Sequence, residues 1–245
     1  RPGSTRFGNK YAAKRRRKSG RALMVNTVMS DGGGSASAAS DVVYNWAFRA
    51  ADCIGDGESS GNYAAINKND SGNGMSVGKY QFHRGRAKAV LTDIANYLVT
   101  YGVYTFDSLK ELLGQDLYDY VTASTLSDYR YYPNDAEVEA LKIILDSDVG
   151  HERQDYKCVT DVENLYWPKL KKLGLNLENQ ENVVIYLCNP LHIAGDSSSI
   201  PSDVINIAKK NTGKAVGDLT LDDIHNAMLS TNHGKGYKSR YEKVY

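Results

Sequence analysis

Residues 62–83 form the one segment after residue 40 that lacks helical periodicity. The segment reads NYAAINKNDSGNGMSVGKYQFH, and its dense turn formers are typical of hairpins. On both sides of it, apolar residues recur at three- and four-residue steps, which predicts amphipathic helices. The pattern therefore predicts a mainly α (α+β) fold, in which a small β-hairpin or sheet is inserted after the first helix.

The apolar periodicity also places the individual helices. We expect the first to be capped by Ser40 or Asp41 and to end at Gly55. Pro168 predicts a kink or a break in the helix that contains it. Residues 220–223 resemble a capping box. The later predicted helices span 86–101, 107–113, 116–125, 134–146, 162–173, 179–188, 202–211 and 220–230.

Charge divides the chain into a basic arm with a linker, residues 1–40, and a body, residues 41–245. Residues 1–30 carry nine Lys/Arg and no acid, and the remaining 21 basic and 29 acidic residues give residues 31–245 a net charge of −8. Nucleic-acid-binding domains carry their positive charge across a folded face, so no nucleic-acid partner is predicted. The arm is interpreted as a solvated connection to upstream sequence or as a docking segment for a partner or an anionic polymer, and a nuclear-type basic run stays open.

Cysteine and histidine usage predicts neither a metal site nor a cofactor. The three cysteines lie far apart without a CxxC pair, and the five histidines are scattered. Cys53 and Cys188 lie in apolar helical patterns and are predicted to be buried thiols. No apolar run reaches the length of a membrane span. Because the sequence starts at Arg1 without a visible signal peptide, we interpret it as a fragment or a processed product.

Glu58 is the first candidate catalytic residue. It follows the predicted helix end, where the negative end of the helix dipole disfavours an ionised carboxylate. Partial burial among Tyr63, Tyr80 and Phe82 would act in the same direction. Both effects suit a general acid, and glycosidic cleavage requires such an acid to protonate the leaving oxygen.

Asp70 is the natural second carboxylate. It lies in a polar turn with Asn67, Asn69 and Ser71, where it should stay ionised, and two carboxylates in contrasting surroundings can divide acid and base roles. Ser76 is placed to orient a water molecule together with Asp70. A calcium loop is excluded, because its twelfth position from Asn67 is a glycine where a bidentate Glu is needed.

The motif resembles those of several cell-wall hydrolases. The stretch DSGNGMSVG is similar to the Asp-x5-Thr-Ile-Gly hairpin of phage-type lysozymes, and ESSGNYAAIN followed by SVGKYQFH looks like the signature of lytic transglycosylases and goose-type lysozymes. NDSGNGMSVGKYQFH is still more similar to phage and Gram-positive peptidoglycan hydrolases of the lysozyme-like superfamily, to which chitosanases are more distant relatives. The resemblance is specific over roughly residues 41–100.

The resemblance implies a lysozyme-like fold and a hydrolase that cleaves β-1,4 glycosidic bonds of peptidoglycan. Glu58 would be the acid, and Asp70 with Ser76 would place water or stabilise the oxocarbenium-like transition state. The partner would be a peptidoglycan glycan strand at the bacterial cell wall, which implies an extracellular or virion-associated protein. Such a domain would belong to a phage tail-associated lysin or an endolysin, with the arm contacting other domains.

Other residues receive secondary roles. Gln81 carries over from the Gly-x-x-Gln pattern, either to bond a sugar amide or to stiffen the hairpin. Tyr63 and Tyr80 are expected to flank the cleft, by stacking on sugar or by packing, and His83 to touch substrate or to hold structure. Asp56 is a backup carboxylate with capping or solvent exposure as its alternative. Residues 146–155 are predicted to form a solvated helix end.

Three alternatives remain open at this level. In a lytic transglycosylase, Glu58 alone would act as acid and then as base, and Asp70 would be structural. A non-catalytic cell-wall-binding or structural tail module would keep the fold without the activity. A chitosan-like substrate is the third possibility, and the stereochemistry of hydrolysis also stays open.

Overall fold

A computed structural model describes residues 37–125 and 128–245 of the chain. The predicted basic arm and most of the linker lie outside these residues, and residues 37–40 already belong to the first helix. The elements from the N-terminal side are α1 (Ser37–Ser59), β1 (Ile66–Asn67), β2 (Ser76–Val77), β3 (Phe82–His83), α2 (Arg84–Thr100), α3 (Phe106–Leu113), α4 (Gln115–Thr122), α5 (Asp135–Leu145) and α6 (Asp148–Asp161). They continue with a π-helix (Val162–Tyr166), α7 (Trp167–Lys172), α8 (Leu177–Ala194), α9 (Ile200–Thr212), a 3₁₀ turn (Val216–Asp218), α10 (Leu221–Ser230), α11 (Asn232–Gly236) and α12 (Lys238–Val244).

The predicted mainly α class with one small sheet is confirmed. The three strands form an antiparallel sheet in the order β1-β2-β3, and it follows α1 as expected. Two short helices at the C-terminal side, α11 and α12, were not predicted from the periodicity. Of the described helices, none is long and apolar enough to cross a membrane.

The first helix does not end at Gly55. It continues to Ser59, and Ser60 and Gly61 then both adopt positive φ angles, of 59° and 80°. Two consecutive left-handed residues end a helix, whereas a single internal glycine only weakens it. The turn that ends the helix is therefore set by residues 60–61, and Glu58 lies inside the last helical turn.

The described chain divides into two compact units. One contains residues 37–57 and 159–245, and the other contains Glu58–Cys158 without residues 126–127. In the second unit, which carries the sheet, α2 packs against α3, α4, α5, β2 and β3. Its core includes Val77 and Phe82 from the sheet and Leu91 and Ile94 from α2.

The other unit has its own helical core. Helix α9 packs against α8 and α10, and α10 packs against α8, α11 and α12. Pro168 lies in the first turn of α7, directly after the π-helix, so at the predicted kink or break the helix changes type while its backbone stays helical. The capping box at residues 220–223 is formed as predicted. Cys53 and Cys188 are buried thiols that form no disulfide, as expected, and the same is true of Cys158.

Candidate functional site

Glu58 is half-buried. The next residue, Ser59, is the last residue of α1 and connects this helix to the sheet by a hydrogen bond. The Ser59 hydroxyl donates a hydrogen bond of 2.7 Å to the carbonyl oxygen of Lys79. Lys79 belongs to the short connection between β2 and β3. The structure thus fixes the helix turn that carries Glu58 to the return turn of the sheet.

Asp70 lies in the connection between β1 and β2. Its backbone closes a turn, because its N–H donates to Gly74 at 2.7 Å and its carbonyl accepts from Asn73 at 3.0 Å. The carboxylate is half-buried, and within the described residues it accepts one hydrogen bond, from the Ser71 hydroxyl at 3.4 Å. The backbone of Asp70 is therefore committed to the turn, whereas most of its carboxylate bonding capacity is not.

Strand register places Ser76 beside His83. Asn67, Ser76 and His83 lie directly opposite one another across the three strands, so their side chains share one face of the sheet. Ser76 is 1% exposed, and its hydroxyl donates to Gln81 Oε1 at 3.1 Å. This geometry disfavours the predicted role of Ser76 in orienting water, because its proton is directed to Gln81.

Gln81 ties the hairpin together. Its amide nitrogen donates to the carbonyl of Gly78 at 2.9 Å and to that of Ala65 at 3.3 Å, and its oxygen accepts from Ser76. It also has a positive φ of 46°. Of the two roles that the sequence left open for Gln81, these contacts favour stiffening of the hairpin over a bond to a sugar amide.

The Asp70 carboxylate is close enough to His83 to influence the pKa of its imidazole. Burial lowers the pKa of His83, and Arg86 and Arg84 act in the same direction, while the Asp70 carboxylate raises it. The net direction is downward, so the imidazole is neutral at neutral pH. A neutral imidazole beside a carboxylate can accept a hydrogen bond from a sugar hydroxyl or donate one to it.

Tyr63 and Tyr80 do not face an open cleft. Tyr80 is 0% exposed and Tyr63 is 8% exposed, and both hydroxyls donate to the Asp155 carboxylate, at 2.5 Å and 2.8 Å. The Tyr63 ring also stacks on His151, with the ring centroids 3.8 Å apart. Of the two roles that the sequence left open, stacking on sugar or packing, the burial of both rings favours packing for Tyr63 and for Tyr80.

The residues around Asp155 were missed in the sequence. Residues 146–155 were predicted to be a solvated helix end, but α6 continues to Asp161 and buries Arg153, Gln154 and Asp155. Three consecutive polar residues are typical of an exposed segment, and no spacing marks them as buried. Their burial is possible because each is paired: Arg153 Nε bonds Asp93 at 2.7 Å, and the other two bond the hairpin.

Asp56 lies within α1 and is only 4% exposed, so the expected solvent-facing role is wrong.

Backbone strain concentrates near the candidate site. Among the described residues, the four non-glycine residues with positive φ are Ser60, Ser71, Gln81 and Arg84, all within 25 consecutive positions. Each such residue costs on the order of 1 kcal/mol or more, and strain of this kind clusters at functional sites. The observation favours a functional role for the region that joins Glu58 to the sheet.

Over residues 37–125 and 128–245, no group of three or more His, Cys, Asp or Glu side chains has the arrangement of a metal site. Comparison with known proteins yields no matching family model, no matching curated protein and no matching solved structure.

Proposed function

We propose that the chain is a peptidoglycan hydrolase of the lysozyme type, which cleaves β-1,4 glycosidic bonds. One observation supports this most directly: a half-buried Glu58 in the last turn of a helix is tied through Ser59 to a small sheet, whose first loop carries Asp70. The helix end favours a protonated carboxyl at Glu58, and Asp70 retains an accessible carboxylate. These are the two groups that glycosidic cleavage needs.

In this mechanism, Glu58 donates its proton to the glycosidic oxygen as the bond from C1 to that oxygen breaks. The sugar ring passes through an oxocarbenium-like state, which the negative charge of Asp70 stabilises from its other face. Water then adds to C1 and gives up a proton to one of the two carboxylates. If Asp70 takes that proton, the configuration inverts; if Asp70 first bonds to C1 and Glu58 later acts as base, the configuration is retained.

The hairpin residues have supporting roles in this proposal. Ser76 and Gln81 hold the connection between β2 and β3, and His83 offers a neutral imidazole on the sheet face that it shares with Ser76. We place the domain in a phage tail-associated lysin or an endolysin that acts on the bacterial cell wall, outside the cell or as part of the virion. Its partner is the glycan strand, and no metal or organic cofactor takes part in the scheme.

The decisive experiment measures release of dye-labelled fragments from purified peptidoglycan. Glu58→Gln should reduce the rate by about 100-fold or more, because general acid catalysis typically contributes about 10²–10⁴-fold. The matched control is Glu139→Gln, since Glu139 is exposed and its carboxylate bonds only a neighbouring Lys142 in the same helix in the described structure. An active Glu58→Gln variant would refute the assignment of the acid.

Asp70→Asn separates hydrolysis from transglycosylation. In a hydrolase the substitution should slow the reaction by about 10-fold or more, because the positive charge on the sugar loses its counter-charge. In a transglycosylase that uses Glu58 alone, the rate should change little, and mass spectrometry of the products should find anhydro-sugar ends instead of reducing ends. Chitosan supplied in parallel tests the alternative substrate.

If the wild-type chain binds peptidoglycan but releases no fragments, the non-catalytic module is favoured over both enzymes.

A further inference from the structure

A buried charged cluster around Asp155 has no role in the proposed reaction. Asp155 is 9% exposed, and its carboxylate accepts hydrogen bonds from Tyr63 and Tyr80 and lies 3.4 Å from Lys79 Nζ. Lys79 Nζ also donates to the Tyr63 hydroxyl at 3.1 Å, and its side chain is 5% exposed. Burying two opposite charges costs much of the energy that their attraction returns, so stability alone is a weak reason to keep such a pair.

In the described residues, the side chains that contact the Asp155 carboxylate lie within the sheet region or just before it. Tyr63 precedes β1, and Lys79 and Tyr80 form the connection between β2 and β3. Gln154, the neighbour of Asp155 on α6, accepts a hydrogen bond of 2.9 Å from the backbone N–H of Lys79. Its amide nitrogen donates one of 3.0 Å to the carbonyl oxygen of Leu145. Helix α6 therefore holds the residue Lys79 by both its backbone and its side chain.

The same residue carries the link to the candidate acid. The carbonyl oxygen of Lys79 accepts a hydrogen bond from the Ser59 hydroxyl, and Ser59 follows Glu58 in the last turn of α1. A continuous series of contacts thus runs from Asp155 through Lys79 and Ser59 to the helix turn of Glu58. If Lys79 shifts, the acceptor that anchors this turn shifts with it.

We infer that Asp155 is a positioning residue for Glu58, acting through Lys79 and Ser59. The kinetic part of this inference rests on the proposed function, whereas the structural part does not. Because Asp155 is buried and bonded to the hairpin, its removal should change how Glu58 is placed and not which groups bind the sugar. The expected signature is a lower kcat with an unchanged KM.

The test compares Asp155→Asn, Ser59→Ala and the double variant on soluble uncrosslinked glycan strands. Each single variant should lower kcat by about 10-fold to 100-fold, the range expected for a displacement of about 1 Å at the reacting groups. Because both act through the same link, the double variant should be no slower than the slower single variant. Multiplying effects would show two independent sites and would overturn the inference, as would an unchanged kcat.

Two further variants separate positioning from a loss of folding. Tyr80→Phe removes one hydroxyl from Asp155 and keeps the buried ring, so it should fold and lower kcat in the same direction but by less. Asp119→Asn is the matched control, since it removes an exposed carboxylate that bonds Gln115 in α4, and it should leave kcat unchanged. A normal kcat in Tyr80→Phe together with an unfolded Asp155→Asn would overturn the positioning role.

An inactive wild-type chain would refute the proposed function but still allow the structural part to be tested. Amide hydrogen exchange at residues 62 and 79 reports on the link, because the N–H of Asn62 donates to the Ser59 hydroxyl oxygen and the N–H of Lys79 donates to Gln154 Oε1. In Asp155→Asn these amides should exchange faster than in wild type, while α4 is unaffected. Equal exchange in the two proteins would overturn the inference whatever the activity.

Discussion

At the scale of single residues, Gly78 shows how the sheet and α6 constrain each other. It has a φ of +80°, and a Cβ added there would lie 2.1 Å from Gln154 Oε1. Gln154 is fully buried and bonded at both ends of its amide, so moving it away would break two buried hydrogen bonds. Two independent constraints therefore favour glycine at position 78: the positive φ angle and the close approach of α6.

Gly72 supplies a matched comparison for this position. Its φ is +75°, but a Cβ there would meet nothing within 4 Å. Gly72→Ala should cost about 1 kcal/mol of unfolding free energy through backbone strain alone. Gly78→Ala adds the clash and should cost about 3 kcal/mol, as measured by urea denaturation. Equal costs would mean that Gln154 yields more easily than its two hydrogen bonds indicate.

The sequence singles out the two candidate carboxylates, but it does not reveal the contacts around them. Glu58 and Asp70 stand out because a carboxylate at a helix end and a carboxylate in a polar turn have different surroundings. Nothing in the spacing shows that Tyr80 turns inward to Asp155, which is 75 residues away. Contacts between residues so distant in the chain depend on how the elements pack, which local patterns do not encode.

At the scale of elements, the capping box that begins α10 was predicted correctly, whereas the predicted cap of α1 at Ser40 or Asp41 was wrong because the helix already includes Ser37. Thr220 accepts a hydrogen bond from the backbone N–H of Asp223 at 3.3 Å, and the Asp223 carboxylate accepts from the N–H of Thr220 at 2.8 Å. Both bonds are local, so the sequence alone specifies them. The end of α1 was misplaced because Gly55 is buried inside the helix, and the conformation of Ser60 carried no strong signal.

Thr220→Ala tests the contribution of this cap. The variant leaves a backbone N–H of α10 without its side-chain acceptor and should lower the unfolding free energy by about 1 kcal/mol. Thr122→Ala is a suitable control, because the Thr122 hydroxyl is exposed and donates to a carbonyl at the end of α4, and it should cost less. Chemical denaturation of both variants measures their unfolding free energies. An equal loss of stability in the two variants would argue against a contribution from the cap.

At the scale of the whole molecule, the buried His225 and the half-buried His233 make the stability of the helical unit of residues 159–245 depend on pH. The Tyr186 hydroxyl and His225 Nδ1 lie 2.9 Å apart, and His233 Nε2 lies 2.8 Å from the Tyr241 hydroxyl. Burial lowers the pKa of His225, against the smaller raising effects of Glu242 and Asp222. Burial also lowers the pKa of His233, and Arg240 adds to that effect.

The sign of the pH effect follows from these directions. The folded state holds both imidazoles neutral, while in the unfolded chain they titrate near 6.5. Their contribution to stability is therefore complete above about pH 6.5 and is lost as the pH falls through the lower folded pKa values. The unfolding free energy of the wild type should decrease between pH 7.5 and pH 5.

His225→Gln keeps an acceptor for Tyr186 and removes one titrating group. Its unfolding free energy should fall less over the same pH interval than that of the wild type, although its stability at pH 7.5 is lower. Thermal denaturation at several pH values, with a fixed ionic strength, measures the difference. Parallel curves for the two proteins would show that His225 does not drive the loss.

The sequence by itself determined the helical class, the position of the sheet after the first helix, the capping box at residues 220–223 and the choice of the two candidate carboxylates. These features depend on periodicity, turn formers and bonds between near neighbours, all of which involve residues that are close together in the sequence. Only the tertiary structure decided that α1 reaches Ser59, that Tyr63 and Tyr80 turn inward, and that α6 holds the hairpin through Asp155. A charged residue becomes a core residue only when folding brings its partners to it, and that pairing exists only once the chain is packed.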